Sequence, residues 1–265
     1  MPQILPAPPV CKVLLGFDFD DTLVFKNAPR EINRELFTSL ERLRESEGAV
    51  WGIATGRSLP QLMEGFNAVS FPFLPDFVVA REREIYFPGS FGRFQPHQEW
   101  NKRCDKDHAK VFRKSKRVFA KVRRFIEKET KAEWVSVEGD AAGVVASSSE
   151  EMDLILAFFE GLPSHENLSY ERNSIYLRFS HNDYSKGAGL LETARSFGLG
   201  SESILAVGDN LNDMSMLQSH VSGMCGCPSN SLAEVCEFVR SRGGFVAEGR
   251  ASDGAVEILN HYFPL

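Results

Sequence analysis

At 265 residues, with 43% hydrophobic and 25% charged side chains, the chain is long enough for one large α/β domain or two smaller ones around a sizeable core. A formal net charge of −6 argues against wholesale nucleic-acid binding while leaving room for a local basic surface. No apolar run approaches the roughly 18 residues that a membrane span needs, so no membrane contact is expected.

Met1 to Val10 carries four prolines and no basic segment, and is expected to be an extended tail. Val13–Phe17 is a continuous apolar run that stops at Asp18, the pattern of a central parallel strand buried on both faces. Ile32, Leu36, Leu40 and Leu43 predict an amphipathic helix over 31–46. Ala49–Ala54 is the next buried strand, followed by a helix over 59–66 and a short strand at Phe77–Ala80. From there the pattern changes. Hairpins are predicted over 84–96, 134–147 and 168–179, with a long polar helix over 106–131 and another helix over 152–159. After Lys186 the alternation returns, with a helix over 190–197, a strand at Ile204–Val207, a helix over 213–219 and a last helix over 254–262. The expectation is an α/β fold: a Rossmann-like parallel-sheet core, discontinuous over 1–80 and 184–265, with an inserted α+β cap over 81–183.

Four short blocks stand out, three of them directly after a strand-like run: Asp18-Phe19-Asp20-Asp21-Thr22, Ala54-Thr55-Gly56-Arg57, Lys186-Gly187, and Gly208-Asp209-Asn210-Leu211-Asn212-Asp213. Asp18 can serve as a carboxylate nucleophile and Asp20 as proton donor and acceptor. Thr55 offers a hydroxyl and Lys186 a positive charge for phosphate oxygens, and Asp209 and Asp213 can hold a divalent cation. Each block alone has a bland reading. Asp-Asp-Thr is also helix-capping chemistry, a Thr-Gly turn is common, and most lysines are solvated. Arg57 can touch substrate or pair with an acid.

The order and content of the four blocks resemble the haloacid dehalogenase-like hydrolase superfamily, most closely its Cof-type, sucrose-phosphate-phosphatase-like sugar phosphatases with a type IIB cap. The resemblance implies a phosphomonoester hydrolase working through an aspartyl phosphate on a small phosphorylated metabolite, a sugar phosphate first of all. It makes Asp18 the nucleophile, Asp20 the general acid and base, and Lys186 the third catalytic group. Phe19, Thr55, Gly56, Arg57 and Asn212 would contact substrate. Mg²⁺ would be the cofactor, held by Asp18, the Asp20 carbonyl and Asp209, with Asp213 reaching it through water or from behind. Such members often carry Ser-Asn-Gly after the third strand, where this chain has Ala80-Arg81-Glu82. Substrate contacts that such members make through that segment are therefore not carried over to this chain.

Two other features belong to the sequence alone. The five cysteines form no disulfide framework, and Cys225-Gly226-Cys227 lacks both the Cys-x-x-Cys spacing and a second ligand pair, so a reducing cytoplasmic setting is expected. Residues 102–128 hold twelve lysines and arginines against three acids. The bland reading of that run is a solvated face, and the sharper one a surface for anions. Two alternatives to the hydrolase remain: a phosphotransferase or mutase using the same aspartyl phosphate, and a polyanion-binding protein with a vestigial site.

Overall fold

Val13–Phe17 has no polar position to turn toward water, so a strand built from it must be covered on both faces. The computed structural model, which describes residues 2–25, 31–89, 93–137, 140–163 and 166–264, places this strand, β1, inside an eight-stranded sheet with all five residues buried. α1 (Arg34–Glu47) follows, opened by Asn33, whose side chain accepts a hydrogen bond from the Glu35 N–H. It is closed by Gly48, whose φ of 63° suits glycine. β2 (Ala49–Ala54) is buried throughout, and α2 (Leu59–Val69) begins with a Ser58–Gln61 capping box. Next come β3 (Phe77–Ala80), β4 (Glu84–Pro88) and β5 (Phe94–Pro96).

The chain then runs through α3 (Gln98–Lys114), α4 (Lys116–Glu129), β6 (Glu133–Val137), β7 (Asp140–Val145), α5 (Ser149–Glu160), β8 (Leu168–Asn173) and β9 (Tyr176–His181). It returns with α6 (Lys186–Ser196), β10 (Ile204–Val207), β11 (Met224–Cys227), α7 (Ala233–Ser241), β12 (Phe245–Val246) and α8 (Ala251–Tyr262). The large sheet has the order β12-β11-β10-β1-β2-β3-β4-β5, parallel from β12 to β3 and antiparallel for β4 and β5. A second, antiparallel sheet has the order β6-β7-β9-β8. The chain divides into two compact units, 1–101 with 186–265, and 102–185.

Several expectations need correction. The 84–96 hairpin was expected in the cap; instead β4 and β5 extend the large sheet, so the second unit begins at 102 and ends at 185, where 81 and 183 were expected. A short alternating hairpin fits either sheet, and the pairing of Val79 with Ile85 decides which. The long polar helix is two helices meeting at Ser115, and it starts earlier than expected. The helix expected over 213–219 is a single 3₁₀ turn at Leu211–Asp213 followed by turns. The turn expected at Gly139 lies outside the described residues. All five cysteines are free thiols, and among the described residues no helix is long and apolar enough to cross a membrane.

Beneath the sheet lies an aromatic knot. Phe71 sits with its ring centroid 4.6 Å from Phe66, 5.1 Å from Phe37 and 6.2 Å from both Phe19 and Trp51. These rings are all at most 4% exposed and meet largely edge-on, the arrangement that suits their quadrupoles. Phe19 belongs to this knot and also to the first sequence block, so core packing fixes the backbone between Asp18 and Asp20. Phe71→Ala is expected to lower stability by about 3–5 kcal/mol, seen as a lower urea midpoint with an unchanged slope.

Candidate active site

In an open parallel sheet, side chains at the carboxyl ends of the strands meet where neighbouring connections diverge. β1 lies between β10 and β2, with Phe17 level with Val207 on one side and Ile53 on the other. Asp18, Thr55 and Asp209 therefore leave the sheet at one edge. The Asp18 N–H donates to the Val207 carbonyl at 2.9 Å and the Thr55 N–H to the Val79 carbonyl at 2.8 Å, which ties each block to its neighbouring strand.

Lys186 arrives from α6. A Cβ on Gly187 would lie 2.3 Å from the Ser215 carbonyl oxygen, and one on Gly189 would lie 2.6 Å from a Val79 methyl. Only glycine allows this close approach. It carries the Lys186 side chain, with no exposed surface, to Asp18 Oδ1 at 2.7 Å and Asp213 Oδ1 at 2.6 Å. Burial pulls its pKa down, but the charges of Asp18, Asp213 and Glu82 outweigh this and raise it, so the ammonium stays charged. Asp213 is fully buried and also accepts the Asp209 and Asn210 N–H groups on Oδ2, both at 2.9 Å, so its carboxylate folds the loop around itself. Its Cβ and carboxyl leave no room for a side chain at Gly208.

Asp18, Asp209 and Asp213 bring carboxylate oxygens within 4.8 Å of one another. Burial pushes the Asp18 carboxyl well above the ordinary range, with Lys186 opposing and Asp213 and Asp209 adding to the shift. Asp209 is pushed up to about 7, again chiefly by burial and then by Asp213, with Thr22 and Lys186 opposing. One ammonium does not neutralise three gathered carboxylates. Among the described residues no hydrogen-bond donor reaches Asp18 Oδ2 or Asp209 Oδ2, because Lys186 and the Thr22 hydroxyl (2.6 Å) take the other oxygens. An all-oxygen set whose carboxyls are held back from ionising by a shortage of counter-charge, with open lone pairs, fits a hard divalent cation such as Mg²⁺.

Asp20 stands apart from this cluster. Its two oxygens accept from Arg57 Nε at 2.7 Å and a terminal Arg57 nitrogen at 2.6 Å, a two-pronged pair with both side chains about one-fifth exposed. The guanidinium lies over the Phe19 ring, 5.0 Å from its centroid. Of the two readings left open for Arg57, the structure displays the acid pair. Thr55 is 1% exposed, and its hydroxyl accepts the Arg57 N–H at 3.2 Å.

Two residues with no role assigned from sequence also belong here. Thr22, fully buried, holds Asp209; its position four residues after Asp18 was the available signal. Glu82, expected to lead into the cap, donates its N–H to the Thr55 carbonyl at 2.9 Å and accepts from Asn212 Nδ2 on Oε1 at 2.8 Å. Arg81 and Glu82 adopt φ of 51° and 66°, left-handed values that ordinary side chains resist, so this turn is held in place by its surroundings.

A family model for haloacid dehalogenase-like hydrolases matches residues 76–239, more than half of the chain. The chain belongs to that family. This haloacid dehalogenase-like hydrolase is similar in fold to the sucrose-phosphatase of Synechocystis sp. PCC6803, solved with sucrose and phosphate. The TM-score is 0.70 at 16% identity, covering 96% of this chain and 98% of that one. It is also similar to a subclass IIB sugar phosphatase of the superfamily, with a TM-score of 0.60 at 17% identity over 94% and 98% of the two chains. A curated relative, the phosphoglycolate phosphatase of Methanoculleus marisnigri, is 35% identical over 82 residues, and the match spans about a third (32%) of that relative's length.

Lys186→Met leaves Asp18 and Asp213 buried without their partner and is expected to destabilise the protein by about 3–5 kcal/mol at pH 7.5. Carboxyls whose folded pKa exceeds the unfolded value stabilise relatively as pH falls, so the deficit should shrink toward pH 5 in denaturant titrations.

Proposed function

We propose that this chain is an Mg²⁺-dependent phosphatase of small phosphomonoesters, sugar phosphates in particular, acting through an aspartyl phosphate. The observation that carries the reading is the position of Asp18, buried at a strand end, with one oxygen on Lys186 and the other open to attack or ligation. In this reading an Asp18 oxygen attacks phosphorus in line, the P–O bond to the alcohol breaks, and the leaving oxygen takes a proton from Asp20. Asp20 then removes a proton from water, which attacks the acyl phosphate and frees Asp18 and inorganic phosphate. Because Arg57 grips both Asp20 oxygens in the free protein, it has to loosen or share that grip when the leaving group arrives. Thr55, the backbone of Phe19 and Gly56, and Lys186 surround the phosphate, with charge and dipoles already in place. Asn212, turned to Glu82, takes part at the edge of the phosphate site.

Asp18, Asp209 and the Asp20 carbonyl would hold Mg²⁺, with Asp213 orienting them through the 209–213 loop. When bound, the ion supplies positive charge that neutralises the carboxylates and the phosphoryl oxygens. Sugar phosphates are supported by the shared fold with two sugar phosphatases.

Phosphate release from a panel of phosphorylated sugars, nucleotides and small acids tests the reading. Release is expected to require Mg²⁺, to stop with EDTA and to fall by at least about a thousandfold in Asp18→Asn. Absence of release from every substrate with folded, metal-loaded protein would overturn it. Burial pushes the Asp209 carboxyl up to about 7, so metal binding there is expected to displace a proton. Calorimetry should show Mg²⁺ affinity rising from pH 6 to 8, with proton release greatest at the acidic end.

A further inference from the structure

The twelve lysines and arginines of residues 102–128, against Asp105, Asp107 and Glu127, give a formal +9, so the rest of a chain with net charge −6 carries −15. All twelve cations are exposed. Ser115 interrupts the helix with φ of −88° and ψ of 5°, yet its N–H still donates to the Val111 carbonyl at 2.9 Å and its carbonyl accepts the Phe119 N–H at 3.0 Å, and buried residues recur at three- and four-residue spacing on either side of it. At about 100° per residue the cations cover about half of the helix circumference. The opposite side, with Cys104, His108, Val111, Val118, Val122 and Ile126, is buried.

Two of the twelve meet partners inside the protein: the Arg123 guanidinium lies over the Trp134 ring, 4.9 Å from its centroid, and Arg103 hydrogen-bonds the Tyr184 side chain. Among the described residues, Lys106, Lys110, Arg113, Arg117, Lys121 and Arg124 pair with no carboxylate. Like charges four residues apart recur at Lys106–Lys110, Arg113–Arg117, Arg117–Lys121 and Arg124–Lys128, each costing about 0.2–0.5 kcal/mol. The arrangement opposes helix stability in the free protein and is relieved by an anionic partner.

We propose that this face binds the phosphate backbones of duplex DNA without reading its sequence. A helix with side chains is about 10–12 Å across, and the major groove is about 12 Å wide. Cations spread over half the circumference then face the phosphates on both walls. Successive cations three or four residues apart lie about 5 Å apart along each helix. No asparagine or glutamine occurs in 102–128 to pair with adenine. An anionic membrane fits less well. A plane meets only the crest of the ridge, and the apolar side of both helices is spent on their own unit, with Val118, Val122 and Ile126 packed against Val144 and Phe179.

The test is fluorescence anisotropy of the full chain with labelled 20-base-pair duplexes of unrelated sequence, from 50 to 300 mM NaCl. Equal affinity for the duplexes is expected, with a log–log salt slope of about −4 to −5. Charge reversal of the crest (K110E/R113E/R117E/K121E) should weaken binding at least tenfold at 100 mM NaCl, while the charge-keeping set (K110R/R113K/R117K/K121R) stays within twofold. Both should release phosphate from small substrates as the wild type does. No binding at 50 mM NaCl, or equal binding by a folded charge-reversed variant, overturns the proposal. So does binding to phosphatidylserine vesicles without binding to DNA, which assigns the face to membranes. A fall in kcat/KM for small substrates on charge reversal, without DNA binding, assigns it to substrate steering instead.

Discussion

The buried ammonium of Lys186, shared between Asp18 and Asp213, is the interaction on which the site depends. Two carboxylates with at most 4% exposure cannot stay ionised a few ångströms apart without a cation, and a lysine cannot stay charged there without carboxylates. Each justifies the burial of the other. The requirement reaches outward into the fold. Lys186 reaches its partners because Gly187 and Gly189 let the start of α6 press against the 215 turn and β3, where any Cβ would collide. Asp213 receives it because its other oxygen has already gathered the 209 and 210 amides.

The charge balance is deliberately incomplete. Thr22 and Lys186 satisfy one oxygen each of Asp209 and Asp18, leaving carboxyls that burial has pushed upward and lone pairs open to a cation. Asp20, two residues from Asp18, lives in a different electrostatic setting, gripped by Arg57 over the Phe19 ring. Neighbouring carboxyls in unlike surroundings are what acid–base work through a carboxylate nucleophile asks for. The Phe19 ring, locked into the aromatic knot, keeps the two apart.

The 102–185 unit answers to other constraints. Its sheet and its helices α4 and α5 enclose a core of their own, including Val122, Ile155, Val144 and Phe179, which frees the outward side of α3 and α4 from any packing duty. That outward side carries the formal +9 of residues 102–128 in a chain of net charge −6. The departure at Arg81 and Glu82 belongs to the other unit, where it is stitched to the Thr55 loop and to Asn212 and joins the site.

Local properties were legible in the sequence. β1, β2, β3 and β10 are uninterrupted apolar runs, and such a run fixes both burial on two faces and the place where the chain must turn polar. Because chemistry sits at those strand ends, the four blocks and the α/β class followed, and the structure gathers Asp18, Thr55, Lys186, Asp209 and Asp213 at one sheet edge or on one another. Choices between distant partners were not legible. Whether β4 and β5 join one sheet or the other, whether Arg57 meets Asp20, and that Thr22 and Glu82 serve residues 187 and 130 positions away depend on geometry set by the whole chain. A sequence states what each residue needs, a partner or a dry surface. Only tertiary structure decides which of many equivalent candidates supplies it, because hydrogen bonds and ion pairs act over a few ångströms and carry no memory of separation along the chain.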